Sequence, residues 1–311
     1  MNMKNTLFIL SLFSLFLSAC SKEVKIDIPG YQQQVVIDGN IEADMPPLVL
    51  LSKSNDIYSP TNLDAYLENF ISGAIVTVSN GLTTVQLDEI CTDNLPAGTE
   101  EVAAGIFGIP AEELANYHLC AYTSFNTDIW GQVGKTYNLT VTFEGKTYTS
   151  STTILPSTPP AKMFYKLSGS FTDKGYSWVT LNDPPNQYDA YKLQYKLSGS
   201  PQFEDVWSPF FDDQFFDGKS FDFSFDDKKS YEDPNVPDNE KGFFNLGDTV
   251  ILKLSKLDRS SYEFFEKKYN QLFNAGNPFS TPTNIPSNIK GGALGVWVGY
   301  SPAYDTLICI P

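Results

Sequence analysis

Thr136-Tyr137-Asn138-Leu139-Thr140-Val141-Thr142-Phe143-Glu144-Gly145-Lys146-Thr147-Tyr148-Thr149-Ser150-Ser151-Thr152 decides the fold class. Tyr137, Leu139, Val141 and Phe143 alternate with polar residues. A period of two puts all four on one face of an extended strand, whereas a helix would scatter them. Glu144-Gly145 supplies the turn, and the β-branched and polar run after it returns the chain. A β-hairpin with one buried face is the expectation.

The same grammar extends in both directions. Upstream, Ala74-Ile75-Val76-Thr77-Val78 precedes Asn80-Gly81, a pair suited to a tight type I′ hairpin, and Thr83-Thr84-Val85-Gln86-Leu87 comes back. Segments 35–41 and 48–52 read as earlier strands. Downstream, strands are expected near 163–167, 176–181, 191–197, 221–225 and 250–254, then as a final strand or pair over 293–300 and 304–310. Two stretches break the pattern. Residues 91–127 form an insertion, with a helix start at Pro110-Ala111-Glu112-Glu113-Leu114. Residues 260–273 place Tyr262, Phe265, Tyr269, Leu272 and Phe273 at helical spacing behind a Ser260 or Ser261 cap.

Pro156-Ser157-Thr158-Pro159-Pro160 is a stiff linker. The expected class is mainly β, with two β-sandwich-like domains. The first is immunoglobulin-like over 31–155, with the insertion at 91–127. The second covers 161–311 and carries the helix at 260–273. The length of 311 residues accommodates two such cores.

The N-terminus is of another kind. Lys4 precedes an apolar run from Leu7 to Leu17, too short for a spanning helix of roughly 20 residues but suited to a signal peptide. Leu17-Ser18-Ala19-Cys20 closes it as a bacterial lipobox. Residues 1–19 are expected to be cleaved, with a lipid on the Cys20 thiol and 20–30 as a lipidated tether. The membrane partner is then reached through that lipid.

Net charge is −16, with 19% charged and 14% aromatic residues. So acidic a body argues against nucleic acid and against electrostatic docking on anionic lipid. In an oxidising compartment, Cys91 and Cys120, which flank one inserted segment, are the natural disulfide pair and leave Cys309 over. The alternative is that these three are free or paired differently.

Candidate chemistry is sparse. His118 is the only histidine, so a catalytic triad or a histidine-rich zinc site would depend on it. A packed or partly exposed imidazole is the simpler reading. Asp212, Asp213, Asp217, Asp222, Asp226 and Asp227 could suggest calcium, but no D-x-D-x-D-G order is present. Solvated strand and turn carboxylates account for them. Gly291-Gly292-Ala293-Leu294-Gly295 lacks the Lys-Ser or Lys-Thr of a phosphate loop. Asp248-Thr249-Val250 and Asp305-Thr306-Leu307 fit a short O-glycosylation pattern, making Thr249 and Thr306 candidate sites. Trp207-Ser208-Pro209-Phe210-Phe211 is a candidate partner-facing patch.

Several blocks in order resemble one family. They are Ser72-Gly73-Ala74-Ile75-Val76-Thr77-Val78, Gly134-Lys135-Thr136-Tyr137-Asn138-Leu139, Phe216-Asp217-Gly218-Lys219-Ser220-Phe221, Gly247-Asp248-Thr249-Val250, Asn288-Ile289-Lys290-Gly291-Gly292, and Leu294-Gly295-Val296-Trp297. The chain is similar to the DUF4249 family of Bacteroidota lipoproteins. That resemblance implies an outer-membrane lipoprotein whose gene often neighbours a TonB-dependent receptor, and it transfers no site residues. The resulting expectation is a non-enzymatic accessory that captures a small ligand, peptide or glycan for such a receptor. It would be lipid-anchored in the outer membrane, with the cell surface favoured over the periplasmic face. No cofactor is expected. Adhesion or envelope architecture, and then surface hydrolysis, are the alternatives.

Overall fold

The computed structural model describes residues 32–55, 62–274 and 284–310. The expected signal peptide, Cys20 and the expected tether lie outside the described residues. The first half contains β1 (Val35–Glu42), β2 (Leu48–Lys53), α1 (Leu63–Leu67), β3 (Ile75–Ser79), β4 (Thr84–Gln86), β5 (Asp88–Cys91), α2 (Glu100–Phe107), β6 (Cys120–Thr123), β7 (Thr136–Phe143) and β8 (Lys146–Thr153). The second contains β9 (Lys162–Leu167), β10 (Lys174–Asn182), β11 (Ala190–Leu197), β12 (Glu204–Asp212), β13 (Ser220–Phe225), β14 (Phe244–Asn245), β15 (Thr249–Leu257), α3 (Arg259–Phe273) and β16 (Leu294–Ile308). The chain is mainly β, in layered sheets whose named strands pair antiparallel except for β1 with β16.

The hairpin read first from the sequence is β7–β8, paired from Thr136↔Thr153 to Phe143↔Lys146. Its turn holds Glu144 and Gly145 at φ 48° and 76°, a geometry glycine adopts freely. Tyr137, Leu139 and Val141 are buried as the alternation requires. With β3 and β4 they form a four-stranded sheet ordered β4-β3-β7-β8. A second small sheet joins β9, β10, β13 and β14.

Both small sheets pack on one face of an eight-stranded sheet ordered β12-β11-β15-β16-β1-β2-β6-β5. The Pro-rich segment at 156–160 separates two cores along the chain, but the large sheet runs through both halves. It does so because β16 pairs with β1 in parallel, from Val36↔Leu294 to Glu42↔Tyr300, and with β15 antiparallel. Of the expected closing strand or pair, the single strand is what forms, 15 residues long. Gly295 permits the close parallel approach, since a Cβ there would lie 1.9 Å from the Ile37 carbonyl oxygen.

The period of two sorts β16 between layers. Trp297 enters the first core, among Ile37, Ile41, Tyr137 and Leu139. Val296 and Val298 face the other way, against Tyr262, Phe264 and Phe265 of α3. The expected helix is present, but Asp258, not a serine, caps it by accepting from the Ser261 N–H at 2.9 Å. A carboxylate at that position also suits the helix dipole. The insertion departs further from expectation. The segment after Pro110 is a 3-10 turn, Ala111–Asn116, and the α-helix lies earlier, at α2.

A buried polar knot sits under β11 and β15. Lys256 Nζ meets Asp189 Oδ1 at 2.6 Å, and the two side chains are 4% and 2% exposed. Tyr191 Oη donates to Asp183 at 2.7 Å, and Asp213 accepts from the Asp189 N–H at 2.9 Å. Burial holds the Asp213 carboxyl above its ordinary value of 3.8. The folded state therefore keeps that proton at a pH where the unfolded chain has released it. Its contribution favours folding most below 3.8 and is lost as pH rises through the folded value. Asp213→Asn, which cannot ionise, is therefore expected to become steadily less destabilising as pH rises from about 4 to about 7. Urea titrations across that range check this; a pH-independent effect of the substitution would contradict it.

Candidate functional site

Helix α2 is short, and tertiary contacts hold it. Glu100 and Glu101 occupy its first turn, where acids suit the dipole. Gly108, at φ 71°, ends it by donating to the Ala104 carbonyl at 2.8 Å. Ala103, Ala104 and Phe107 are buried with Leu67, Leu114, Leu119 and Ala121. This cluster sits on the face of the large sheet opposite the small sheets, through Leu48 and Leu50 of β2 and Ala121 of β6. Helix α3 covers the same face farther along, through Val296 and Val298.

Beside α2 the sheet stays uncovered, leaving a cleft of about 410 Å3. Val102, Ile106 and Phe107 form the helix wall, Leu48 and Ile90 the sheet wall, and Phe125 stands 67% exposed on the lining. Glu42 and Lys253 supply its charge. Lys253 Nζ lies 2.6 Å from Glu42 Oε2, and both side chains are largely buried. The other Glu42 oxygen accepts from Tyr304 Oη at 3.2 Å. Burial and that carboxylate raise the Tyr304 hydroxyl pKa, so it remains a donor. The cleft thus combines an apolar body with one fixed polar corner. A volume above roughly 300 Å3 with few, well-placed polar groups is the usual form of a small-molecule site.

The sequence did not single out Glu42, Lys253 or α2. Lys253 interrupts the apolar run Val250-Ile251-Leu252-Lys253-Leu254, which was its one local signal. Its partner is 211 residues away.

The expected disulfide is present. Cys91 and Cys120 are cross-strand neighbours on β5 and β6, and their sulfurs are bonded. The bridge closes a segment of sequence separation 29 that carries α2. Such a loop limits the unfolded chain by roughly 3–4 kcal/mol in the chain-entropy account. Cys309 is buried and unbridged, and burial pushes its thiol up to about 11. His118 is exposed beside Cys120 and Asp93.

Thr249 is half-buried at the head of β15, and Thr306 is exposed on β16. In the acidic segment, Asp222 faces outward from β13 while Phe221 and Phe223 turn in. Asp213 and Asp217 instead converge with Asp183, each giving an oxygen within 4.8 Å of the others. Trp207 is 39% exposed and meets Tyr231 edge-on. Among the described residues, no helix is long and apolar enough to cross a membrane.

A family model described as "Domain of unknown function (DUF4249)" matches residues 21–305. No curated protein matches the chain.

Proposed function

The chain belongs to the DUF4249 family, and from that premise we propose that it is a lipid-anchored, extracytoplasmic protein that captures a small amphipathic ligand for a TonB-dependent receptor. The observation that carries the reading is the cleft beside α2, with an apolar body and a single polar corner at Glu42 and Lys253. A ligand with an apolar skeleton and one hydrogen-bonding end matches it. The two charges neutralise each other, so the corner offers orientation to a bound molecule and no free acid or base. On this reading the protein is not an enzyme.

The anchor is Cys20, whose lipobox setting gives it a diacylglycerol thioether and an address at the outer membrane of a Bacteroidota cell, with the body at the cell surface. Thr249 and Thr306 belong to the same reading, as acceptors for O-glycosylation.

The capture step is tested by titrating the purified chain with an apolar fluorescent dye such as Nile red. Val102→Asp places a carboxylate on the helix wall at a position 63% exposed in the free protein, so the fold tolerates it. Desolvating that carboxylate against an apolar ligand costs more than the ~1.4 kcal/mol that makes a tenfold change. Dye affinity should fall roughly tenfold or more at an unchanged unfolding midpoint. Equal affinity in wild type and variant would remove the cleft from the account.

A further inference from the structure

The cross-strand disulfide has a third partner that a structural bridge does not need. His118 Nε2 lies 3.5 Å from Cys120 Sγ. On the other side of the ring, His118 Nδ1 lies 3.4 Å from Asp93 Oδ2. Asp93 stands two positions after Cys91, and His118 two positions before Cys120, so the four groups come from two short facing segments.

These segments are clamped independently of the sulfur–sulfur bond. The Thr92 N–H donates to the Leu119 carbonyl at 2.9 Å. Thr92 Oγ1 accepts from the Leu119 N–H at 3.1 Å and donates to the Tyr117 carbonyl. The β5–β6 ladder continues from Cys91↔Cys120 through Ile90↔Ala121 to Asp88↔Thr123. Breaking the bridge therefore leaves the ligand-bearing backbone in register.

The distances match a known coordination geometry. Zinc–sulfur and zinc–nitrogen bonds of about 2.3 and 2.05 Å at a tetrahedral angle put S and N about 3.6 Å apart. The observed separation is 3.5 Å. The same geometry asks for about 3.8 Å between two sulfurs. The Cys91 and Cys120 Cα atoms are 4.0 Å apart, so once the bond is cut rotation of the two side chains sets that separation. Asp93 is placed to accept from the far ring nitrogen, which fixes the tautomer and turns Nε2 toward a metal.

We propose that reduction of this disulfide opens a site for a thiophilic divalent metal ion of the zinc class, with Cys91 Sγ, Cys120 Sγ and His118 Nε2 as ligands, Asp93 as the orienting carboxylate and a fourth position open to solvent. The reductant is a dithiol. Its thiolate attacks Cys91 Sγ, because Cys91 is half-buried while Cys120 is 1% exposed. The sulfur–sulfur bond breaks toward Cys120, and the second thiol of the reductant releases Cys91 from the mixed disulfide. Two electrons and two protons pass to the protein, and the reductant leaves as a disulfide. Metal binding then displaces the two thiol protons. The oxidised form holds no metal at this position. The site stands apart from the ligand-capture reading and does not require it.

Cobalt(II), whose thiolate charge-transfer and ligand-field bands report coordination, is added to the full chain before and after reduction by a phosphine that does not itself bind the metal. The reduced protein should take up one equivalent with a tetrahedral thiolate spectrum, displaceable by zinc(II), while the oxidised protein shows no such band. His118→Ala should weaken binding at least tenfold and change the ligand-field spectrum. Asp93→Asn should weaken it roughly tenfold with the spectrum preserved, as loss of an orienting group does. No thiolate band in the reduced protein overturns the proposal. So does a His118→Ala variant that matches wild type in affinity and spectrum. If reduction unfolds the 91–120 segment by near-ultraviolet circular dichroism and cobalt does not restore it, the proposal also fails.

Discussion

Trp297→Ala is expected to cost about 3–5 kcal/mol of folding stability, the range for removing a large buried aromatic. The side chain is fully buried, and the Cε3 edge of its ring lies against Gly39, where a Cβ would come within 2.7 Å. Its indole N–H donates to the Tyr137 carbonyl at 3.0 Å, joining the large sheet to the hairpin sheet. Its backbone is bonded on both sides to Asn288, N–H to Oδ1 at 2.9 Å and carbonyl to Nδ2 at 2.8 Å. Alanine leaves a cavity between two sheets and removes the donor to Tyr137. Urea unfolding measures the loss directly. Trp297→Phe keeps most of the volume, gives up the hydrogen bond and should cost less. A loss below about 1 kcal/mol for alanine would mean that the two sheets do not depend on this side chain.

Lys256→Met is expected to be comparably damaging, by about 3–5 kcal/mol, for an electrostatic reason. Lys256 faces Asp189 at 2.6 Å inside the fold, with Asp183 and Asp213 close by. Methionine fills the same space, so packing alone predicts little change. Removing the charge leaves three buried carboxyl groups without that cation. The double substitution Lys256→Met with Asp189→Asn removes a charge of each sign and keeps the acceptor shape for Tyr191 and Gln187. It should recover much of the loss, and the resulting cycle isolates the pair from its surroundings. With Asp189→Asn measured alone as the fourth corner, a double-variant loss equal to the sum of the two single losses would show that the pair contributes no coupling.

The hairpins were legible in the sequence because they are local. Tyr137, Leu139 and Val141 declare their face by alternation, and Asn80-Gly81 and Glu144-Gly145 declare their turns. Helix α3 was legible through its apolar spacing over four turns, although its cap was misplaced by two or three residues. Asp258 stands at the end of an apolar strand and did not look like the start of a helix. Helix α2 was not legible. It spans two turns, contains Gly105 and is held by contacts to β2 and β6, which a single sequence does not display. Pairing of β1 with β16 joins residues more than 250 positions apart, and no local pattern selects a parallel partner.

The candidate site divides along the same line. Cys91 and Cys120 could be paired because they bracket one segment. In the sequence His118 is a lone histidine, and its place beside the two cysteines and Asp93 follows from the β5–β6 register. Glu42 and Lys253 meet only through the long sheet.

Native mass spectrometry of the chain extracted in mild detergent from its own cells tests the capture of a ligand most directly. The account predicts a retained small molecule in the wild-type spectrum, lost on collisional activation and absent or strongly reduced in Val102→Asp. Wild-type and Val102→Asp spectra that both show the bare chain, or that carry the same adduct in the same proportion, would contradict it.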